Sequence, residues 1–344
     1  MRPMDGINSS LERKRSDFGS GDLNMDVKLL VSLVCPFYNE EAGVFDFYES
    51  VIQEIEQLND YEFEIVCVDD GSKDGTLGHL VALSLKDHRF KIIELSRNFG
   101  KEAALSAGLD AAIGDLVIPL DSDLQDPPSL IGRLIQAWED SDADVVLAKR
   151  SDRKSDSLSK RLSAAAFYDT YNLLSHIKIP TNVGDCRLMT RVVVDALKLL
   201  PEKQRFMKGL FAWVGFKSVT IEYVRQPRFA GTSKFSGWKL WNFALEGITS
   251  FSTIPLRFWT YIGVAGALTT VMYGFFIFIR TLIFGVDVPG YASLFVAIMF
   301  FGSLQLIGVG ILGEYVGRTY MEAKRRPTYL VRKKYQDERS VNQN

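Results

Sequence analysis

Two pairs of acids stand out because each pair directly follows an apolar run. Asp69 and Asp70 come after FEIVCV and open the segment DDGSKDGT, and Asp121 and Asp123 come after LVIPL in DSDLQDPP. Carboxylates at the end of a strand can accept hydrogen bonds from a base N–H or from ribose hydroxyls, and glycines allow the tight turns that follow. For the first pair taken alone, an ordinary capped turn is an equally good interpretation.

The second pair has the spacing of a site for a hard cation. Asp121 and Asp123 are separated by one residue, so both can turn toward Mg²⁺ or Mn²⁺, and Gln125 can add an oxygen or orient a ligand. Cations of this kind often bridge protein carboxylates to substrate phosphates. A helix that starts at Asp126, before two prolines, is the structural alternative, but it leaves Asp121 and Asp123 unexplained.

Basic side chains that could bind phosphate groups form a third set. For most of them a solvated surface charge is the alternative interpretation, but Arg228 and Lys234 lie in a glycine-containing loop just before the apolar part of the chain. The set consists of Arg97 and Lys101 in SRNFGKEAA, Lys149, Arg150, Arg153 and Lys154 in AKRSDRKSD, Arg187 in GDCRL, and Arg228 and Lys234 in RFAGTSKF.

Several other kinds of chemistry are not supported by the sequence. The chain has no G-x-x-x-x-G-K-[ST] loop, no G-x-G-x-x-G and no G-x-S-x-G, and its histidines lack metal-ligand spacing. The three cysteines form no C-x-x-C pair, which fits a reducing compartment. The net charge of −2 does not favour nucleic acid as a partner.

The elements that must position these residues alternate between strand and helix. Apolar, β-rich runs such as VKLLVSLVCPF, FEIVCV, LVIPL and DVVLAKR are separated by segments with helical character. This alternation predicts βαβ units and an α/β fold with a mostly parallel sheet. Ligands of such sheets bind beyond the carboxyl ends of the strands, which is where the acidic motifs fall.

The last part of the chain is apolar in two long runs, 258–280 and 291–313, each long enough for the ~20 residues of a bilayer-spanning helix. Lys and Arg flank the pair on the outside and are missing from the turn between them, which predicts a transmembrane hairpin with both ends in the cytoplasm. Two buried core helices are the alternative. The preceding segment, 236–257, mixes aromatic and charged residues and predicts an interfacial amphipathic helix.

These features divide the chain into five segments. They are a disordered lead or expression remnant at 1–27, a catalytic domain at 28–235, the interfacial region at 236–257, the two transmembrane helices at 258–313 and a basic cytoplasmic tail at 314–344.

The motifs together resemble glycosyltransferase family 2, whose catalytic domain has the GT-A fold. The resemblance covers about residues 29–331 and is strongest to the polyprenyl-phosphate sugar transferases of the bactoprenol glucosyltransferase (GtrB) type, related to dolichyl-phosphate mannose synthase. The segments that carry it are CPFYNE, VDDGSKDGT, SRNFGKEAA, DSDLQDPP and, after the apolar runs, GEYVGRTYMEAKRRPTYLV.

The resemblance also implies roles for individual residues. Asp185, in GDCRL, falls where the family places an acid near the donor sugar and acceptor, so it is the candidate base. The nucleotide-sugar would be bound by Pro36, Tyr38, Glu40, Asp69, Asp70, Lys101 and Asp121, the metal by Asp121, Asp123 and Gln125, and phosphate or acceptor groups by Arg150, Arg153, Arg187, Arg228 and Lys234.

The resemblance therefore implies a metal-dependent, inverting transfer of a sugar, best matched by glucose from UDP-glucose, to undecaprenyl phosphate. The expected partners are the nucleotide-sugar, the polyprenyl phosphate and the lipid bilayer, with a homo-oligomer as a further possibility and no nucleic acid. The expected location is the inner (plasma) membrane, with several spans and a cytoplasmic catalytic domain.

Three alternatives stay open. Another sugar, such as mannose or an aminoarabinose, could be transferred. A membrane polysaccharide synthase would need more than two spans and usually has a Q-x-x-R-W motif, which QRFMKGLFAWVG lacks. A membrane sensor that only binds nucleotides would not turn over a nucleotide-sugar.

Overall fold

The computed structural model describes residues 28–151, 180, 182–200, 202–203, 205–224, 254–284 and 290–335. The chain forms two compact units. The first combines Met1–Tyr168, Ile179–Ser236 and Pro327–Asn344, and the second combines Asp169–Lys178 and Gly237–Arg326. The predicted lead at 1–27 and most of the predicted interfacial helix, 236–253, lie outside the described residues.

One sheet of eight strands forms the centre of the first unit. In chain order the strands are β1 (Leu29–Phe37), β2 (Tyr61–Asp69), β3 (Phe90–Leu95), β4 (Leu116–Pro119), β5 (Val145–Arg150), β6 (Val183–Thr190), β7 (Ser218–Tyr223) and β8 (Val331–Tyr335). Their order across the sheet is β7-β5-β6-β4-β1-β2-β3-β8. Strand β6 runs antiparallel to β4 and β5, and β8 runs antiparallel to β3, whereas the other pairs are parallel.

Helices of the first unit connect these strands. They are α1 (Val44–Ile55), preceded by a short 3₁₀ turn at Glu41–Gly43, α2 (Thr76–Lys86), α3 (Lys101–Ala111), α4 (Leu130–Glu139), α5 (Arg191–Lys198) and α6 (Met207–Trp213). The predicted alternation of strand and helix, and with it the mostly parallel sheet, is confirmed.

The helices cover both faces of the sheet. Apolar residues of α1, α2 and α4 pack in one cluster with strand residues such as Leu33 and Ile65. The other face carries α3, which packs on Val66 and its neighbours. Successive strand residues point to opposite faces, so strands covered on both sides must be apolar throughout, as the sequence of β1 and β2 is.

Small residues bring α3 close to the sheet. Its sequence, KEAALSAGLDA, places Ala104, Ala107 and Gly108 on the buried side, and a Cβ at Gly108 would collide with Val34 of β1. The helix therefore lies against β1 and β2 rather than only against β3, the strand that precedes it. This packing carries Lys101, its first residue, to the middle of the sheet's carboxyl edge.

Strand β8 is an element that the sequence analysis did not predict. Residues 314–344 were expected to form a basic tail, but α8 (Tyr291–Ala323) continues into this segment and β8 then extends the sheet beside β3. Both Arg332 Nη1 and the Tyr335 hydroxyl lie 2.9 Å from Glu94 of β3. The Tyr329 hydroxyl donates to Asp110 of α3 at 2.7 Å. Charges in RKKY suggested a solvated tail, but charged residues are also typical of edge strands.

The second unit contains two long helices, α7 (Ile254–Phe284) and α8. Their 31 and 33 residues correspond to about 46 and 50 Å at 1.5 Å per residue. Both expose large apolar side chains, among them Phe275 and Leu306. Among the described residues, one segment, Ala297–Ala323, is long and apolar enough to cross a membrane. One of the two expected membrane spans thus has a candidate helix among the described residues, and the transmembrane hairpin remains a prediction.

Candidate functional site

The predicted nucleotide-binding residues lie at the carboxyl ends of neighbouring parallel strands. Pro36 and Phe37 at the end of β1 pair with Val68 and Asp69 at the end of β2. On the other side of β1, Asp121 lies two residues beyond the end of β4. Because these strands are parallel, their carboxyl ends meet at one edge, which is where α/β sheets bind ligands.

Hydrogen bonds join the loop after β1 to the loop after β2. The backbone N–H of Asn39 donates to Ser72 Oγ at 3.0 Å, and that of Glu40 donates to Thr76 Oγ1 at 2.9 Å. In return, Lys73 N donates to Asn39 Oδ1 at 2.8 Å. The two loops form one wall, so Tyr38 and Glu40 are held beside the DDGS segment as predicted for a shared pocket.

The two acids of DDGS have different surroundings. Asp69 is 1% exposed, and its Oδ2 accepts a hydrogen bond from Ser72 N at 3.2 Å. Its Oδ1 is buried and finds no donor among the described residues. Burial raises the pKa of Asp69 above its ordinary value. An unpaired buried oxygen is costly, so Asp69 has the state expected of a residue whose partner is a ligand.

Asp70, in contrast, accepts hydrogen bonds from the protein on both carboxylate oxygens. Its Oδ1 accepts from Phe99 N at 2.7 Å, and its Oδ2 accepts from Asn98 Nδ2 and Gly100 N, both at 2.9 Å. These contacts hold the loop that leads into Lys101, and the nucleoside contact implied by the resemblance stays a prediction. A neighbouring glycine makes this possible, because Gly71 has φ +67° and a Cβ there would lie 2.5 Å from the backbone of Arg97.

Lys101 joins two acids that the sequence places far apart. Its Nζ lies 2.6 Å from Asp121 Oδ1 and 2.8 Å from Asp185 Oδ2. Asp185 is near because β6 runs antiparallel to β4, so the start of β6 lies beside the end of β4. The three predicted residues therefore form one cluster, in which Lys101 contacts both acids.

The charges of this cluster control one another. Burial opposes ionisation of Asp185, but the positive charge of Lys101 outweighs that effect and lowers the pKa of the carboxyl below its ordinary range. Burial likewise opposes the charge on Lys101, and the Asp185 and Asp121 carboxylates more than compensate, so the pKa of Lys101 is raised. The cluster is thus an ammonium held between two carboxylates.

The residues predicted to bind a metal form a loop after β4. Within the described parts of the chain, no group of three or more His, Cys, Asp and Glu side chains is arranged to hold a metal ion. Asp121 and Asp123 still suit Mg²⁺ or Mn²⁺, because such ions are commonly held by one or two carboxylates plus substrate phosphates. Asp121 already attracts the cationic Nζ of Lys101. Gln125 N donates to Asp123 Oδ1 at 3.2 Å.

Leu124, between the metal-type residues, has φ +54°. A left-handed backbone costs a residue with a side chain about 1–2 kcal/mol. Local strain of this kind persists only where the surrounding structure enforces it, and it is common at ligand sites. The loop after β4 is therefore held in a specific shape.

Asp126 is not the start of a helix, as the sequence had allowed. Helix α4 begins at Leu130, with Ser129 at its N-terminal cap. Instead Asp126 is 2% exposed, and its Oδ1 accepts a hydrogen bond from the Tyr223 hydroxyl at 2.5 Å. The same hydroxyl accepts a hydrogen bond from Arg150 Nε at 3.3 Å. Sequence analysis did not identify Asp126 and Tyr223 as site residues, because Tyr223 lies 97 residues from Asp126.

Arg187 has contacts that differ from those expected of a phosphate ligand. It is 5% exposed, its Nη2 donates to the carbonyl of Gly184 at 2.8 Å, and its Nε donates to the carbonyl of Asp185 at 3.3 Å. The guanidinium stacks 3.9 Å from the ring centre of Phe211. Burial lowers the pKa of Arg187 to about 10, so it stays charged at neutral pH. These contacts hold the backbone around Asp185.

Of the other cations predicted to bind phosphate, Arg150 is half-buried at the end of β5, within this site. Arg153, Arg228 and Lys234 lie outside the described residues.

A mostly parallel sheet with acids gathered at the carboxyl ends of its strands is a GT-A-like fold of the kind that glycosyltransferases use. The family described as "Glycosyl transferase family 2" matches residues 32–198, and relatives match nearly the whole chain. The chain belongs to glycosyltransferase family 2 and is a glycosyltransferase.

Two of its relatives are named for their activity. The chain is 54% identical to the "Prophage bactoprenol glucosyl transferase homolog" of Escherichia coli, over 88% of this chain and 98% of that protein. It is also 54% identical to the "Bactoprenol glucosyl transferase" of Shigella phage SfII, over 89% and 98% respectively. Among solved structures, the glucosyl-3-phosphoglycerate synthase of M. tuberculosis has a TM-score of 0.42 and 20% identity, over 69% of this chain and 82% of that chain.

Proposed function

We propose that this enzyme transfers glucose from UDP-glucose to a polyprenyl phosphate, best matched by undecaprenyl phosphate, at the cytoplasmic face of a membrane. The observation that carries the proposal is the cluster of Lys101, Asp121 and Asp185 at the carboxyl edge of the sheet. It occurs in a chain that matches a bactoprenol glucosyl transferase over nearly its full length. That relative's name gives the sugar and the acceptor proposed here.

The nucleoside of the donor has a suitable pocket beside this cluster. Asp69 Oδ1, which has no hydrogen-bond donor within the described ranges, can accept a hydrogen bond from a base N–H or a ribose hydroxyl. Pro36 lies near the end of β1, and Tyr38 and Glu40 lie in the loop after it, on the adjacent wall of the pocket. A nucleoside bound there would leave its diphosphate directed toward Asp121 and Lys101, the next residues along the same edge.

The chemical step needs no strong base. A phosphate monoester has a second pKa of ~6, so the acceptor is largely a dianion at neutral pH. One of its oxygens attacks the anomeric carbon, a new C–O bond forms, and the bond to the nucleoside diphosphate breaks. Direct displacement inverts the anomeric centre. Against the effect of burial, Lys101 lowers the pKa of Asp185, which makes this carboxylate a weak base, so its proposed role is to orient the acceptor through the ion pair with Lys101.

Positive charge must meet the departing diphosphate. The ammonium of Lys101 has three N–H donors and uses two of them on Asp121 and Asp185, so its third can contact a phosphate oxygen. Asp121, Asp123 and Gln125 would hold Mg²⁺ or Mn²⁺, which supplies further positive charge to phosphate oxygens. The strained backbone at Leu124 keeps Asp123 and Gln125 in a fixed relation to each other.

Membrane attachment by a hairpin is supported by the topology of the sheet. Strand β8 follows α8 in the chain and pairs with β3, so the chain after α8 is on the same side of the membrane as the sheet. The segment between β7 and β8 must therefore cross an even number of times. If α8 crosses once, α7 is the other described helix long enough to cross. These observations support the proposal of two spans with the catalytic unit on one side of the membrane, and the basic residues that flank the apolar runs favour the cytoplasmic side of the inner (plasma) membrane.

A donor panel tests the proposed function. Purified full-length protein is incubated with undecaprenyl phosphate, Mg²⁺ or Mn²⁺ and, separately, UDP-glucose, GDP-mannose, UDP-N-acetylglucosamine or a UDP-aminoarabinose, and lipid-linked sugar is detected by mass spectrometry. We expect product from UDP-glucose, loss of product with EDTA, and recovery when metal is restored. Product from a different donor alone would refute the choice of sugar, and turnover without any divalent metal would refute the assignment of Asp121 and Asp123.

A further inference from the structure

A hydrogen-bonded chain of three side chains, of which Asp126 and Tyr223 are buried and Arg150 is half-buried, includes the end of the proposed metal loop. The Tyr223 hydroxyl donates to Asp126 Oδ1 at 2.5 Å and accepts from Arg150 Nε at 3.3 Å. Tyr223 is 3% exposed. Burial and the Asp126 carboxylate raise the pKa of Tyr223, so the hydroxyl keeps its proton and donates it toward Asp126. Its oxygen is left to accept from the guanidinium.

The fold brings these residues together from three separate parts of the chain. Arg150 ends β5 and Tyr223 ends β7, and the two are paired across the parallel strands. The backbone N–H of Ser151 donates to the carbonyl of Tyr223 at 2.8 Å, which fixes the strand ends to each other. Asp126 is the last acid of DSDLQD, the loop that carries Asp121. Tyr223 therefore connects the proposed metal loop to the arginine.

Arg150 has donor groups left over after this contact. Its guanidinium uses Nε on Tyr223, and its two terminal nitrogens make no hydrogen bond to other described residues. Gly184 of β6 lies beside them, and a Cβ there would be in ordinary van der Waals contact, 3.5 Å from Nη2 of Arg150 and 3.9 Å from Asp126 Oδ2. Two guanidinium N–H groups in a fixed direction suit the paired oxygens of a phosphate.

We propose that Tyr223 is a positioning residue, which orients Arg150 so that its guanidinium binds a phosphate group of the substrates. The inference rests on the proposed function, because the phosphate belongs either to the donor diphosphate or to the polyprenyl phosphate. Tyr223 does not itself touch the phosphate. It fixes the direction of Arg150 relative to Asp121 and Asp123 through Asp126.

The main experiment compares Tyr223→Phe with a matched control, Tyr61→Phe. Both substitutions remove a buried hydroxyl that donates to a carboxylate, but Tyr61 bonds Glu139 at the start of β2, at the opposite edge of the sheet from the site. We expect Tyr223→Phe to raise the KM for one phosphate-bearing substrate about tenfold, the size of a lost charge-assisted contact. Tyr61→Phe should leave both KM values unchanged.

A double-mutant cycle with Arg150→Ala establishes whether Tyr223 acts through the arginine. If it does, Tyr223→Phe has little further effect on KM once Arg150 is alanine. Arg150→Lys, which keeps the charge but loses the planar fork, should raise the same KM as Tyr223→Phe does. An unchanged KM for both substrates in Tyr223→Phe, or an equal effect of Tyr223→Phe in the Arg150→Ala background, would overturn the proposal.

Binding measurements, which need no turnover, show whether Arg150 binds the phosphate of the donor or that of the acceptor. They also separate a failure of this proposal from a failure of the proposed function. Calorimetry with UDP and Mn²⁺ reports the donor diphosphate, and calorimetry with farnesyl phosphate in detergent reports the acceptor phosphate. Tyr223→Phe should weaken one of these about tenfold. If the wild type binds both probes but transfers no sugar, the proposed function is refuted. The double-mutant cycle with Arg150→Ala is then measured with Kd values in place of KM values. If neither Kd changes in Tyr223→Phe, the positioning role is refuted.

Discussion

Asp69 and Asp70 are adjacent in the sequence, yet their surroundings give them different tasks. Asp69 keeps a buried oxygen without a donor among the described residues, whereas Asp70 receives three hydrogen bonds from residues 98–100. A motif identifies both residues as acids at a strand end and does not distinguish them. The distinction depends on which loop packs against which oxygen, and that loop comes from the next strand.

Substitution of each acid by asparagine separates the two tasks. Asp69→Asn should weaken UDP binding by about tenfold, because the acceptor for the nucleoside changes. The melting temperature of Asp69→Asn should stay the same or rise. Burial raises the pKa of Asp69, so its negative charge destabilises the folded state at any pH above the pKa of the unfolded chain, and the asparagine carries no such charge. Burial raises the pKa of Asp70 as well, but Asp70→Asn should lower the melting temperature, because its amide N–H₂ would face donors where the carboxylate now accepts three hydrogen bonds. Calorimetry and thermal unfolding measure the two effects.

The reverse result would contradict this assignment. If Asp70→Asn kept the melting temperature and lost UDP affinity, while Asp69→Asn melted early, the roles would be exchanged.

The sequence was informative about the residues of the site to the extent that they lie in local motifs. Asp121, Asp123 and Lys101 were identified from short segments, and the structure brings Lys101 to Asp121. Residues such as Tyr223, whose role depends on strands far apart in the chain, carry no local signal. For Arg187 the structure adds contacts that no motif indicates, since its guanidinium packs on the ring of Phe211, and its phosphate role, which the family resemblance implies, stays a prediction.

At the scale of elements, β8 connects the end of the second unit's long helix to the catalytic sheet. It pairs with β3, and Ser96 N at the end of β3 donates to the carbonyl of Leu330 at 2.9 Å. The segment 98–100, which holds Asp70, follows directly. Alternating strands and helices were predictable from apolar periodicity, but a charged edge strand has no such pattern. The contacts of Arg332 and Tyr335 with Glu94 stabilise its pairing with β3, and these residues come together only in the folded sheet.

Removal of β8 should therefore destabilise the catalytic unit. A chain that stops after Thr328 loses the contacts of Tyr329, Arg332 and Tyr335 and leaves β3 as an open edge. With about 1 kcal/mol for each lost hydrogen bond, we expect a melting temperature lower by at least about 5 °C, together with aggregation.

A chain that stops after Tyr335 is the control for this truncation, since it keeps the whole strand. It should melt like the full-length protein. Equal melting temperatures for both truncated chains would show that β8 contributes nothing to the stability of the sheet.

In the whole molecule, the proposed topology requires an even number of membrane crossings between β7 and β8. Cys35, Cys67 and Cys186 are buried, so single cysteines introduced elsewhere can be labelled selectively. In intact cells, a membrane-impermeant maleimide should label Asp287→Cys, in the predicted external turn. It should label Lys334→Cys on β8 only after the cells are permeabilised.

Labelling of Lys334→Cys from outside intact cells would place β8, and the sheet with it, on the external side. Failure to label Asp287→Cys in either condition would remove the support for a crossing by α7.

The most direct test of the central claim is whether donor cleavage depends on the lipid acceptor. With purified enzyme, radiolabelled UDP-glucose and metal, UDP release should be negligible without undecaprenyl phosphate. With the lipid it should equal the amount of glucose recovered in the lipid fraction, and Asp185→Asn should lower the rate of both by about 100-fold, because the acceptor is no longer oriented. Release of free glucose at the same rate with and without the lipid would contradict the account, because the enzyme would then be a hydrolase.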